Sequence, residues 1–234
     1  MTVYGCYKIG AVPVPLNYML APDTFGYIVD DVAPDLVVYD GEVADRFERG
    51  LDKTVVMPQR ICTDDVGDAE SFKDLVDAAA EAPPDPPTEP DAPAYILYTS
   101  GTTGNPKGVV FTAETAQARA LEMVSTAGFT QSSVTLQLSP WFHAGGIDNT
   151  VHQTVVAGGE LIVLSEFEPQ PALDAIEQYG VTHIASVPTL TRRIADADGV
   201  SERDLSSVEC WINMGSPLTQ SDAETFLDTL TPNI

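Results

Sequence analysis

The run AYILYTSGTTGNPKGVVFT, residues 94–112, sets two extended apolar segments around a loop of glycines and hydroxyls. Ala94–Thr99 and Gly108–Thr112 are rich in aromatic and β-branched residues, which predicts two strands. Between them, Tyr98–Gly108 carries Gly101, Gly104 and Gly108, the hydroxyls of Thr99, Ser100, Thr102 and Thr103, and Lys107. Glycines let a backbone curl until several N–H groups point at one place. Hydroxyls add donors, and the lysine adds a movable positive charge. The product is a cradle for phosphate oxygens. A plain Ser/Thr/Gly connection between two strands is the bland rival. The nucleotide-triphosphatase P-loop is excluded: it needs G-x-x-x-x-G-K-[ST] between a strand and a helix, whereas here Gly108 follows Lys107 and a strand follows the loop.

Outward from this run, helix-like and strand-like segments alternate. Downstream, the pattern predicts a helix over Glu114–Ala127 closed by Gly128, a strand over Val134–Leu138, a helix over Gly145–Ala157 and a strand over Glu160–Leu164. There follow a helix over Pro171–Tyr179 with Gly180 as its C-cap, a strand over Val181–Val187, a helix through Pro188–Ala197 and a strand over Val208–Met214. Ala223, Phe226, Leu227 and Leu230 fall at helical spacing behind a capping box of Ser221 and Glu224. Upstream, the pattern predicts a helix end over Thr2–Gly10, an extended run over Val12–Leu16 and a helix from Pro22 through Thr24–Asp31. A short buried strand is expected over Asp35–Asp40, then a helix over Glu42–Leu51, a strand over Thr54–Met57 and a helix over Ser71–Glu81. The stretch Glu81–Ala94 holds six of the eighteen prolines and reads as a stiff, exposed spacer. The expected organisation is therefore a first α/β portion over 1–82, a linker over 83–93 and a second α/β portion over 94–234. Strands separated by helices imply an α/β fold: mainly parallel sheets with helices on both faces.

Composition narrows the rest. The chain has 234 residues, 44% of them hydrophobic, which is enough for a packed core. No stretch approaches eighteen uncharged apolar residues, so a membrane-spanning helix is excluded, and Met1–Leu20 lacks the basic start and apolar run of a secretion signal. Cys6, Cys62 and Cys210 are scattered and read as free thiols in a reducing compartment; no metal site is expected. Thirty-five acidic against eleven basic side chains give a net charge of -24, which repels nucleic acid and anionic membranes. The acid is dispersed, and lysine occurs only at positions 8, 53, 73 and 107. Dispersed acid with scarce lysine predicts a high-salt cytoplasm, where a screening length of about 3 Å near 1 M salt removes most of the repulsion. Against that background, a lysine kept inside a Gly/Thr loop has a task.

The run YTSGTTGNPKG resembles the signature loop of the AMP-forming adenylating enzymes, the superfamily of acyl-CoA synthetases, luciferases and peptide-synthetase adenylation domains. The resemblance extends over nearly the whole chain. It implies that Thr99, Ser100, Gly101, Thr102, Thr103, Gly104 and Lys107 contact the phosphates of ATP. Lys8–Asn17 resembles a structural helix-to-strand passage of the family, and Val181–Thr189 its next strand and turn. Pro140–Gly146 resembles the segment lining the acyl pocket, which implies roles there for Trp141, Phe142, His143 and Gly145. Met214–Leu218 resembles the segment flanking adenine, which assigns Gly215, Ser216 and Pro217. There Met214 stands where the family usually has glycine and Ser216 where it has alanine. From the residues alone, His143 is equally a histidine bonded at a strand end, whereas Trp141 and Phe142 read first as plain core. His152 and His183 read as structural, Arg192 and Arg193 as a solvated helix face with anion binding as the rival, and Cys210 as an inert buried thiol.

The implied chemistry is activation of a carboxylic acid. The carboxylate attacks the α-phosphorus of ATP, pyrophosphate leaves, and a thiol then displaces AMP from the acyl-adenylate. ATP, Mg²⁺ and coenzyme A are the implied cofactors. The pocket segment offers no Asp to pair with an amino group, which favours a fatty or aryl acid over an amino acid. Family members are longer, and segments that hold adenine, ribose and Mg²⁺ have no counterpart here. The expectation is thus a fragment of such a synthetase, inactive alone and open to self-association through exposed core. The alternative is a non-catalytic nucleotide-binding remnant, or a split subunit needing a partner chain.

Overall fold

The computed structural model describes residues 2–64, 70–79, 89–99 and 104–230. By compactness the chain forms two units. One comprises Met1–Glu89 with Pro93–Val110, the other Pro90–Ala92 with Phe111–Ile234. The strand pair around the glycine loop thus groups mainly with the first unit. Of the expected linker, residues 83–88 lie outside the described residues. Its far end is tied down, because the carbonyls of Pro90 and Ala92 accept the N–H groups of Glu114 and Ala113 at 2.9 Å each.

In the first unit, helix α1 (Thr2–Ile9) is followed by α2 (Pro22–Val32), which starts on Pro22 as expected. Strand β1 (Leu36–Tyr39) pairs in parallel with β2 (Gln59–Cys62), and β2 with the two-residue β3 (Glu70–Ser71). Helix α3 (Ala44–Leu51) connects β1 to β2, and α4 (Phe72–Ala78) follows β3. The core is small: Val29, Tyr39, Phe47, Leu51 and Cys62, with the Phe25 and Tyr39 rings 4.6 and 4.4 Å from that of Phe47. Two expectations fail here. β1 is half exposed instead of buried. Thr54–Met57 is no strand: the Asp30 carboxylate accepts the N–H groups of Val55 and Val56, Val55 is 89% exposed, and the strand forms at Gln59–Cys62. Strands β4 (Pro93–Thr99) and β5 (Lys107–Thr112) form a two-stranded sheet of their own, and the connection is too short for a parallel crossover, which makes them a hairpin.

The second unit is a four-stranded parallel sheet in the order β7-β6-β8-β9: Glu160–Val163, Val134–Gln137, His183–Ser186 and Cys210–Asn213. Leu136, Ile184 and Trp211 stand in register across its centre. They pack with Leu173 and Ile176 of α8 (Pro169–Tyr179), Ile194 of α9 (Pro188–Ala195) and Phe226 of α10 (Gln220–Thr229). Burying each such side chain contributes roughly 1.5–3 kcal/mol. The opposite face of β6 is polar. Thr135 accepts a hydrogen bond from Thr154 at 2.8 Å, and the two-residue repeat puts Gln137 on the same side. That face is covered by α5 (Ala113–Ala127) and by one continuous helix over Ala144–Ala157, whose middle, Ile147–Val151, is π-helical between α6 (Ala144–Gly146) and α7 (His152–Ala157). Helices on both faces of a parallel sheet are the expected architecture. α8 ends on Gly180 at φ 60°. The capping box moves: Thr219, not Ser221, caps α10 by accepting the Asp222 N–H at 3.1 Å, because the chain turns into the helix two residues earlier. Among the described residues, no helix is long and apolar enough to cross a membrane.

Candidate functional site

The glycine loop leaves β4 at Thr99 and returns at the start of β5. Ser100, Gly101, Thr102 and Thr103 lie outside the described residues. The flanks are well anchored. Tyr98 donates its hydroxyl to Asp31 at 2.6 Å, and burial together with that carboxylate pushes the phenol above its ordinary range. Thr99 Oγ1 donates to the Lys107 carbonyl at 3.4 Å. Gly104 has open space where a side chain would stand. Lys107 is exposed. Lys53 and Lys73 pair with Asp23 and Asp77, whereas Lys107 engages no carboxylate among the described residues. In a chain of net charge -24, that leaves its ammonium available to an anion.

In the second unit, the strand order sets a topological switch point. From β6 the chain crosses to β7 on one side, and from β8 it crosses to β9 on the other. Ligands of open parallel sheets bind beyond the carboxyl ends of the strands at such a switch point. The candidate acyl segment leaves the carboxyl end of β6, and the candidate adenine segment leaves that of β9. Trp141 is half-buried and Phe142 buried, its ring 4.6 Å from that of His143. His143 is exposed at the start of the helix, and its carbonyl accepts the N–H groups of Gly146 and Ile147 at 3.0 and 3.1 Å. Gly146 is obligatory, because a Cβ there would stand 2.2 Å from the Pro140 carbonyl oxygen. Gly145 faces Met214: a Cβ on it would stand 3.2 Å from the Met214 sulfur. Asn149 Nδ2 donates to the same sulfur at 3.0 Å. Gly215 adopts φ 82° beside Val187, and Ser216 and Pro217 continue the exposed turn. The structure thus brings the two segments together through Gly145, Asn149 and Met214.

Behind this rim runs a chain of hydrogen bonds. Trp211 Nε1 donates to Ser186 Oγ at 2.9 Å, Ser186 and Thr191 share a bond of 2.7 Å, and Thr191 donates to Asn213 Oδ1 at 2.6 Å. Thr191 spends its one proton on Asn213 Oδ1, so Ser186 donates to Thr191 while accepting from Trp211. This series of bonds locks the ends of β8 and β9 to the start of α9.

Several polar residues escaped the sequence. Asp148, 1% exposed, pairs with Arg119 of α5 at 3.2 Å and with His152 one helical turn on at 3.5 Å. The i,i+4 spacing of Asp148 and His152 was the only local signal; Arg119 lies too far away in sequence to show one. His183 is structural as expected, with Nε2 on the Ala127 carbonyl at 3.0 Å and Nδ1 on Thr182 at 2.8 Å. Arg192 and Arg193 pair with Asp222 and Glu168. Cys210 is half-buried, and burial pushes its thiol up, away from the nucleophilic thiolate. Among the described residues, no group of three or more His, Cys, Asp or Glu is placed to hold a metal ion.

Comparison with known proteins identifies the family. The family pattern described as AMP-binding enzyme matches residues 1–234. A feruloyl-CoA synthase of Amycolatopsis is 29% identical over 227 residues, 97% of this chain and 44% of the relative. The ATP-bound structure of MatB from Rhodopseudomonas palustris superposes with a TM-score of 0.85 at 25% identity, covering 97% of this chain and 44% of that one. The anthranilate CoA ligase AuaEII, solved in complex with anthranoyl-AMP, shares the fold with a TM-score of 0.91 at 20% identity, covering 98% of this chain and 45% of its own. The chain spans less than half the length of these proteins. With its parallel sheet and a match that runs its whole length, this chain belongs to the AMP-binding enzyme family of adenylate-forming enzymes.

Proposed function

We propose that this chain is part of an AMP-forming acyl-CoA synthetase, which activates a carboxylic acid with ATP and passes the acyl group to coenzyme A. The observation that carries this reading is the family match over the whole chain, supported by the meeting at Gly145, Asn149 and Met214 of the two segments that the resemblance assigns to acid and adenine. A carboxylate oxygen attacks the α-phosphorus, the bond to pyrophosphate breaks, and the thiol sulfur later takes the acyl carbon as AMP leaves. Negative charge grows on phosphate oxygens in the first step, so aimed N–H donors and a cation lower its barrier. In this reading Thr99, Ser100, Gly101, Thr102, Thr103 and Gly104 supply donors, and Lys107 supplies the charge. Trp141, Phe142, His143 and Gly145 border the acid, and Gly215, Ser216 and Pro217 flank adenine. Mg²⁺ would neutralise phosphate charge, but the described residues offer it no ligand cluster, and no step is assigned to it.

The test is nucleotide titration of the 234-residue chain against Lys107→Ala in molar KCl. A hydrogen bond to a charged group is worth roughly 1.5–3 kcal/mol, so the variant should bind ATP at least about tenfold more weakly. Equal affinity removes Lys107 from the site. Pyrophosphate exchange should be absent with this chain alone, as the fragment reading requires.

The acidity fits a salt-rich cytoplasm, because dispersed carboxylates repel one another least when screened. The melting temperature should rise from low salt to molar KCl; a flat or falling response counts against that setting.

A further inference from the structure

In the π turn over Ile147–Val151 the His152 N–H reaches back past Asp148 to the Ile147 carbonyl, so the turn holds one residue more than an α turn. Such turns are rare in helices, and here two side chains fasten one. Thr150 Oγ1 donates across it to the Gly145 carbonyl at 3.3 Å. Asp148, 1% exposed, is gripped by Arg119 of α5 at 3.2 Å and by His152 at 3.5 Å. A buried carboxylate is costly to leave unmatched, so its stretch of helix stays where the guanidinium reaches it. Downstream, Thr154 donates to Thr135 of β6 at 2.8 Å and ties that end of the helix to the sheet.

The extra residue therefore acts upstream. With Thr154 held, closing the π turn to an α turn would move every residue before it one step along the helix, about 1.5 Å and about 100° of rotation. Ile147 would then take the place of Gly146, where a Cβ stands 2.2 Å from the Pro140 carbonyl oxygen. No side chain fits there, so the segment from Pro140 to His143 would have to move. We propose that Asp148 is a positioning residue: through Arg119 it holds the π turn, and the π turn keeps Trp141, Phe142, His143 and Gly145 in their working places. This rests on the acid-activation reading for what those residues do, whereas the hold itself rests on contacts within the second unit.

The experiment compares the isotope-labelled 234-residue chain with Asp148→Asn and with a double variant, Asp148→Leu and Arg119→Met. The double variant removes both charges together and leaves no buried carboxylate unmatched, so it should fold. In the parent, the scalar coupling across the hydrogen bond should join the His152 N–H to the Ile147 carbonyl. Asp148→Asn should keep that coupling, because its amide oxygen still accepts from Arg119. In the double variant the coupling should pass to the carbonyl of residue 148, the Gly145 and Gly146 signals should shift, and those of β6 should stay. Acetate, butyrate, octanoate and benzoate are titrated with ATP present. Those that bind the parent should bind the double variant at least about tenfold more weakly, since a displacement of about 1 Å at a positioned group can cost more than that. Arg119→Met, at a half-exposed position, gives the same test should the double variant not fold. A coupling that stays on Ile147 without the Asp148–Arg119 pair overturns this inference and leaves acid activation standing. A moved coupling with unchanged acid affinity overturns it too, because the segment would then tolerate the movement. Binding of no acid by the parent overturns both.

Discussion

Two neighbouring stretches of one chain solve the burial problem differently. The unit built on β6–β9 covers both faces of a four-stranded sheet and buries a contiguous cluster from Leu136 to Leu230. In the unit built on β1–β3 the core cluster joins five buried side chains, Ile28, Ile61, Tyr95 and Leu97 are buried outside it, and none of the described residues of α1 is buried. The difference lies in cover, since β1 and β2 are as long as β6–β9. In β8 all four residues are buried, whereas β1 and β2 each begin exposed. Cooperative stability should therefore concentrate in the second unit, and the first should open more readily.

Removing one aromatic ring from each core tests this most strongly. Phe226→Ala should cost the second unit about 4 kcal/mol in denaturant unfolding. Phe47→Ala should loosen the first unit alone, seen as faster amide exchange in α2 and α3 with exchange in β6 and β8 unchanged. An equal loss of protection in both units from Phe47→Ala would abolish the distinction. Next in size is Asp148→Ala, which removes a buried carboxylate from half-exposed Arg119 and from His152 and should cost about 2 kcal/mol. A change below about 0.5 kcal/mol would mean that the pair adds nothing to the polar side of the sheet. The smallest expected effect has the opposite sign. Gln153 is fully buried, and both of its side-chain amide atoms lack a hydrogen-bond partner among the described residues. Gln153→Met keeps the shape and removes the unsatisfied amide, so it should stabilise the second unit by about 1 kcal/mol. A loss of stability instead would show that the amide is engaged in solution.

What could be read from residues followed their range of interaction. Strands β6 and β7 and the helices α5 and α8 were visible because apolar repeats and the terminal Gly128 and Gly180 are local signals. Thr54–Met57 misled because a β-branched apolar run resembles a strand. A carboxylate on α2 takes its N–H groups, and nothing within the run announces that. At α10, Thr219 and Ser221 both carry capping hydroxyls, and only the path of the chain from β9 selected between them. The π-helical turn is likewise invisible locally, since it accompanies the packing of Asp148 against Arg119 on another helix.

By itself the sequence determined the alternation of helix and strand, the glycine–hydroxyl loop ending at Lys107, and the membership that this loop signals. All of these rest on residues close together along the chain. Tertiary structure alone decided the strand order that puts a switch point between β6 and β8, the pairing of Arg119 with Asp148, and the reach of Met214 to Gly145 and Asn149. Such contacts join residues tens of positions apart. Their geometry follows from the stacking of strands and helices into layers, which no local pattern encodes.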